Sequence, residues 1–232
     1  MEQFKKHNMA NRIPTNLTNG GNATTSASDT SATFTPSPGA LILAASTCLR
    51  GSSVPTTIAI TDSFAGGIGA WTLIGSLTGS LSRSTIFLWY TFAGSNPGTH
   101  DVTFTYSGGA GNPIRKCWII DQRDFVGTVS PIIQSATAQV ASSTTLSCPL
   151  TNNITGNNMT YAVACNPSGT GMTAGTNETE LVEVLSGGAS GADLQSEYGT
   201  SGDKTLDWSA LVSTTTDSIA VACEIREATL LV

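Results

Sequence analysis

Charge is what this sequence has least of. Only 11% of its 232 residues are Asp, Glu, Lys or Arg, and there are two histidines. Lys and Glu, the usual surface residues of helical enzymes, are scarce. Ser, Thr, Asn, Ala and 24 glycines take their place. A surface of hydroxyls and amides suits exposed β-sheet and loops, and it suits a chain packed against neighbours. The formal net charge is −6. Residues 1–12 hold Lys5, Lys6 and Arg12 against Glu2, so the rest of the chain is acidic. Tracking phosphate needs a basic stripe, which excludes a nucleic-acid binder.

Paired thiols are also missing. The five cysteines, Cys48, Cys117, Cys148, Cys165 and Cys223, show no C-x-x-C spacing. Most sit in or beside apolar runs, so they are expected to be free thiols acting as small core groups. One or two disulfides are the alternative. With two histidines and no paired spacing, no metal is expected, and no motif calls for a cofactor. Free thiols imply assembly in a reducing cytoplasm. Met1–Asn8 has the charge of a signal peptide without an apolar segment after it. The longest apolar run near it, Ala40–Ala45, is too short to span a bilayer. Neither secretion nor a membrane anchor is therefore expected.

Helical periodicity is absent as well, and short strand patterns stand in its place. Ile86–Phe92 is apolar on both parities, as in a strand covered on both faces. Val102–Tyr106 alternates large apolar groups with hydroxyls. Lys116–Asp121 follows a Gly/Pro turn. These three segments read as neighbouring antiparallel strands of one sheet. Further strands are predicted at Gly39–Ala45, Thr57–Asp62, Thr137–Leu150, Thr160–Cys165, Glu180–Leu185, Leu194–Tyr198, Lys204–Trp208 and Asp217–Ile225. The fold class is all-β: an antiparallel, jelly-roll-like β-sandwich. Residues 1–31 read as an extended N-terminal arm, flexible or ordered by a partner, and residues 32–232 as a single sandwich domain. An internal echo suggests two similar halves, 39–125 and 159–226. Leu41–Ala45 answers Thr160–Ala164, and Tyr90–Gly94 answers Tyr198–Gly202. Val102–Phe104 answers Leu206–Trp208, and Lys116–Ile120 answers Ala220–Glu224.

Candidate chemistry is thin. His100 beside Asp101 has two members of a triad, but there is no G-x-S-x-G elbow, and His100 reads as a surface turn residue. The carboxylate clusters are Asp121-Gln122-Arg123-Asp124 and Glu178, Glu180 and Glu183. Glycosidic chemistry needs two carboxylates across a cleft; here Glu178 and Glu180 share a strand parity, which fits a solvated face. Trp71, Trp89, Trp118 and Trp208 lie in apolar strand contexts and are expected in the core rather than on a sugar platform. N-x-[ST] sequons at Asn16, Asn22, Asn153, Asn158 and Asn177 follow from composition. No catalytic residue is assigned and no enzyme is expected.

The run Gly39–Ala44, Ile60-Thr61-Asp62-Ser63-Phe64, Trp71-Thr72, Leu88-Trp89-Tyr90 and Val102–Thr105 resembles β-sandwich modules of tailed-phage virion proteins and some bacterial surface proteins. The likeness covers residues 39–125 and, more loosely, 159–226. It implies a capsid decoration (cement) protein on the head surface, assembled in the host cytoplasm. Its partners would be the major capsid protein and copies of itself as a dimer or trimer. Lys5, Lys6 and Arg12 of the arm would be the partner-contacting residues. The alternative is a tail, fibre or cell-surface domain binding receptor glycans through loops such as Gly108–Pro113 and Gly187–Ala192. A secreted carbohydrate-active enzyme is the third reading, opposed by the missing leader and motif.

Overall fold

Leu41–Leu49 is apolar or small at every position and buried along its whole length, which requires a partner layer on each face. In the computed structural model that demand is met by four stacked layers. The described residues are 13–24, 26–49, 55–63, 67–80, 84–108, 115–124, 126, 130–154, 158–167, 171–186, 193–199, 202–211 and 217–228.

The strands of the first half are β1 (Thr15–Asn22), β2 (Ser28–Thr30), β3 (Leu41–Leu49), β4 (Thr57–Asp62), β5 (Thr72–Thr78), β6 (Ser84–Phe92), β7 (Val102–Ser107) and β8 (Arg115–Arg123). Those of the second half are β9 (Ile132–Ala141), β10 (Leu146–Pro149), β11 (Met159–Asn166), β12 (Thr173–Ala174), β13 (Glu178–Leu185), β14 (Asp193–Gly199), β15 (Thr205–Ser209) and β16 (Asp217–Ile225). All named pairings are antiparallel. The first half forms a five-stranded sheet, β1-β8-β3-β6-β5, and a three-stranded sheet, β2-β7-β4. The second forms β9-β16-β11-β14-β13 and β10-β15-β12. Adding eight to each strand number of the first half gives the second half's order in both sheets. Each half is thus a sandwich with jelly-roll connections. The segments that echo each other in sequence lie on or begin in β3 and β11, β6 and β14, β7 and β15, and β8 and β16.

Strand parity sorts the side chains into three cores. Leu41, Leu43, Ala45, Ile86, Leu88 and Ile119 of one large sheet face Tyr161, Val163, Cys165, Leu194, Ile219 and Val221 of the other. This central core joins the halves face to face. Ile42, Ala44, Trp89, Trp118 and Ile120 point outward onto Ile58, Val102, Phe104 and Tyr106 of the small sheet. On the far side, Ala162, Ala164, Ala220 and Ala222 lie beneath Leu146, Cys148, Leu206 and Trp208. The second outer core has small residues on its large sheet, and Trp208, 1% exposed, fills the space above them.

Two expectations change. Ile86–Phe92 and Lys116–Asp121 do lie in one sheet, but with β3 between them, and Val102–Tyr106 belongs to the small sheet. A jelly-roll chain crosses between layers at most of its turns, so most sequence neighbours part company. Of the arm expected over 1–31, residues 1–12 lie outside the described residues. Thr15–Asn22 is instead an edge strand on β8, and Ser28–Thr30 pairs with β7. Its Asn, Thr and Gly residues bury little apolar area, but the backbone ladder needs none. Gly20 lies where a Cβ would be 2.6 Å from the Trp118 ring, so a glycine lets β1 close over that indole.

The cysteines are all free and buried. Burial pushes every thiol up, Cys165 to about 12 and Cys148 to about 12, so none is a reactive thiolate. We expect no reaction with an aromatic disulfide reagent at neutral pH in buffer and five equivalents released in denaturant. Fast labelling of the native chain would contradict this packing.

Candidate functional site

Four polar arrangements stand out against the apolar layers. The first centres on His100, which is 1% exposed rather than a surface turn residue. Its Nδ1 lies 3.0 Å from Asp62 of β4, and its Nε2 lies against the Pro97 carbonyl oxygen. Asp101, its neighbour in sequence, is not its partner in these bonds; the antiparallel bridge of Phe34 to His100 turns the ring inward. Both ring nitrogens face acceptors. The imidazole anchors the 95–100 turn on β4. Gly67 packs directly on this turn, and a Cβ there would collide with the Pro97 carbonyl and the His100 ring. Gly67→Ala is therefore expected to cost about 1–3 kcal/mol, read from urea unfolding.

The second is a polar link inside the central core. Asp121 of β8 is fully buried and accepts 2.8 Å hydrogen bonds from Asn16 Nδ2 and from Tyr161 Oη of the other half. Burial raises its pKa to about 6, against the opposing effect of those hydrogen bonds. The folded chain therefore holds this proton more tightly than the unfolded chain, and stability falls as pH rises from about 3.8 towards 6. Tyr161→Phe removes a donor to the ionised form. Its cost should be about 1–3 kcal/mol above that range and smaller below it, measured by unfolding at both ends. The Asn16 amide is committed here, facing into the protein.

In the third, Lys116 of β8 is buried. Its Nζ donates to the carbonyl oxygens of Ser26 and Ser28 and lies 5.4 Å from the Tyr106 ring centroid. Burial lowers its pKa, with Asp29 acting the other way. This contact fastens the β2 edge of the first small sheet to the large sheet. The partner-contacting residues expected from sequence, Lys5, Lys6 and Arg12, lie outside the described residues, as do 109–114 and 187–192, which contain most of the two proposed glycan loops.

The fourth is a set of carboxylates on the outer side of β13 and β14. Glu178, Glu180 and Glu183 do not form a plain solvated face. Glu180 is opposite Glu197 of β14, and Glu183 is opposite Gln195. Gln195 Nε2 donates to Glu180 at 3.1 Å and to the Met172 carbonyl at 3.1 Å, while Glu183 accepts from the Met172 amide. Glu197 and Asp193 are fully buried. Sequence reasoning missed these two because acids in a strand normally mark its solvent side; the signal was their place at alternate positions in Asp193–Glu197, facing a second layer. Among the described residues, no group of three or more His, Cys, Asp or Glu side chains is placed to hold a metal ion.

The surface divides unevenly between the two sides of the stack. On one side the outermost strands are β1 and β13, the latter with three glutamates. On the other, β5 and β9 run side by side, tied by Ser135 Oγ to the Ile74 carbonyl at 3.3 Å. Neither strand contains a charged residue or a proline. Leu73 and Ile133, on these two strands, are 48% and 38% exposed. Gly75 lets β5 pack closely on β16, since a Cβ there would be 2.9 Å from Val221.

No family model, no curated protein and no solved structure matches this chain.

Proposed function

We propose that the chain is a structural virion protein, a capsid decoration (cement) protein that acts through interfaces with capsomers and with copies of itself. The observation that carries the reading is the side formed by β5 and β9. Soluble proteins normally protect sheet edges with charge, proline or bulges, because free backbone groups recruit other strands. Here two adjacent edges of seven and ten residues have neither charge nor proline; each has a single register shift, at Leu73–Gly75 and at Ile132–Gln134, and each presents an exposed aliphatic residue. Such a side suits a permanent neighbour. The resemblance of residues 39–125 to tailed-phage virion modules supports the same reading, as does the shortage of charge. Many weak interfaces repeated over a shell raise the barrier to rupture by mass action and multivalency.

Quantitative mass spectrometry of purified particles tests it. A decoration protein is present at on the order of hundreds of copies, whereas a tail or fibre part is present at a handful. Replacing Lys5, Lys6 and Arg12 together with alanine is expected to lower occupancy on heads, through lost pairing with acidic capsid surface. Unchanged occupancy removes the arm from the mechanism. The second reading, a receptor-glycan-binding tail or surface domain, is favoured instead by low copy number together with binding on a glycan array.

A further inference from the structure

The two halves share a strand order, and pairing register aligns their residues. The register shift of β5 falls opposite Trp89 and Leu88 of β6, and that of β13 falls opposite Glu197 and Ser196 of β14. Glu197 thus occupies the core position that Trp89 fills in the first half. There Trp89 stacks on Phe87 with ring centroids 5.4 Å apart. Glu197 is 0% exposed, and neither of its carboxylate oxygens has a hydrogen-bond partner. An ionised carboxylate in that setting is among the most costly groups a core can contain.

Its surroundings bring no compensating charge. Glu178, Glu180 and Glu183 come from β13, Asp193 from β14 itself, Asp207 from β15 and Asp203 from the turn before it. The Cys148 thiol of β10 also faces Glu197, and β12 contributes Thr173 and Ala174. Glu224 of β16 lies two strands away and accepts from Gln134 and Asn158. Between Asp124 and Ile225 the sequence has ten acidic residues and one basic residue, Lys204. A divalent cation would be the usual remedy, but the described carboxylates do not converge in a group of three. A proton needs no such convergence.

We propose that this carboxylate cluster is a proton-binding latch: protonated, it lets β15 and β12 seat on β13 and β14, and ionised, it loosens that layer. Burial first, and then Glu178, Asp207, Glu180 and Asp203, push Glu197 up to about 9. Burial, with Asp203 and Asp207, pushes Glu178 up to about 7. Asp193 is also raised, by burial and by Glu183. Each raised carboxyl gives the folded state more bound protons than the unfolded state. Stability is therefore full below the ordinary carboxylate range and is lost as pH rises towards the folded values. The second half would be firm in mildly acidic surroundings and looser in neutral or alkaline ones, independently of the virion reading.

The test is thermal unfolding of the full chain at constant ionic strength from about pH 5 to about pH 8, for wild type, Glu197→Gln and Glu178→Gln. The wild-type Tm is expected to fall by roughly 5–10 °C across that range. Glu197→Gln should have less than half of that fall and melt above wild type at the alkaline end; Glu178→Gln should do the same to a smaller degree. A wild-type Tm that is flat or rises with pH overturns the proposal, as does a wild-type slope in both variants. Stabilisation by millimolar Ca²⁺ at about pH 8, abolished by Glu197→Gln, overturns it in favour of a cation site. Should Glu197→Gln fail to fold, proton release on unfolding of the wild type decides, from calorimetry in buffers of different ionisation enthalpy. About one or two protons released near neutral pH support the latch, and none overturns it.

Discussion

Leu43→Asp is expected to abolish the folded state, leaving aggregated or unfolded chain, and Leu43→Ala to cost about 2–5 kcal/mol. Leu43 is fully buried in the core that joins the halves, opposite Tyr90 of β6 on one side and Asp121 of β8 on the other. A second carboxylate there would lie beside one that already has a raised pKa. The alanine variant also reports how the halves are coupled. Because both large sheets have one face in this core, its loss should weaken the whole stack in a single transition. Signals from Trp89 and Trp118 in one outer core and from Trp208 in the other should then move together. Two separate transitions would show that the halves stand independently.

The next largest effect is expected at Trp118. Trp118→Ala should cost about 3–5 kcal/mol, and Trp118→Phe clearly less. The indole is 5% exposed, stacks on Phe104 at 6.5 Å and lies directly under Gly20 of β1. Truncation opens a cavity between three strands, and β1, an edge strand paired only to β8, has the least other support. Urea unfolding gives the energy, and hydrogen exchange of residues 15–22 should show β1 released first. A cost near zero would mean that the outer layer collapses around the gap.

The strands were legible because their signal is local. Leu41–Ala45 is apolar on both faces, Val102–Tyr106 alternates, and the turns between are marked by Gly, Pro and Asn. The repeat was faintly legible too: the echoed segments lie on or begin in strands that hold the same place in the two halves. Which strand pairs with which was not. In a jelly roll the partners of β3 are β6 and β8, more than thirty residues on, and no short window contains that information. Thr15–Asn22 looked like an arm because an edge strand can be held by backbone bonds alone. His100 looked superficial because its ring is turned inward by a bridge to Phe34 and met by Asp62, neither of which is near it in sequence. The Glu197 cluster was hidden for a related reason. Alternation tells which residues share a face, but a face is wet or dry according to what covers it, and the cover comes from β15.

The most direct test of the decoration reading is imaging. Heads lacking this chain would be incubated with the purified protein and examined by cryo-electron microscopy. The account predicts regular density across the shell, with the β5 and β9 side against a neighbouring subunit and residues 1–12 ordered on a capsomer. Bare heads at saturating protein would contradict it, and would move the function to the tail or to a glycan surface.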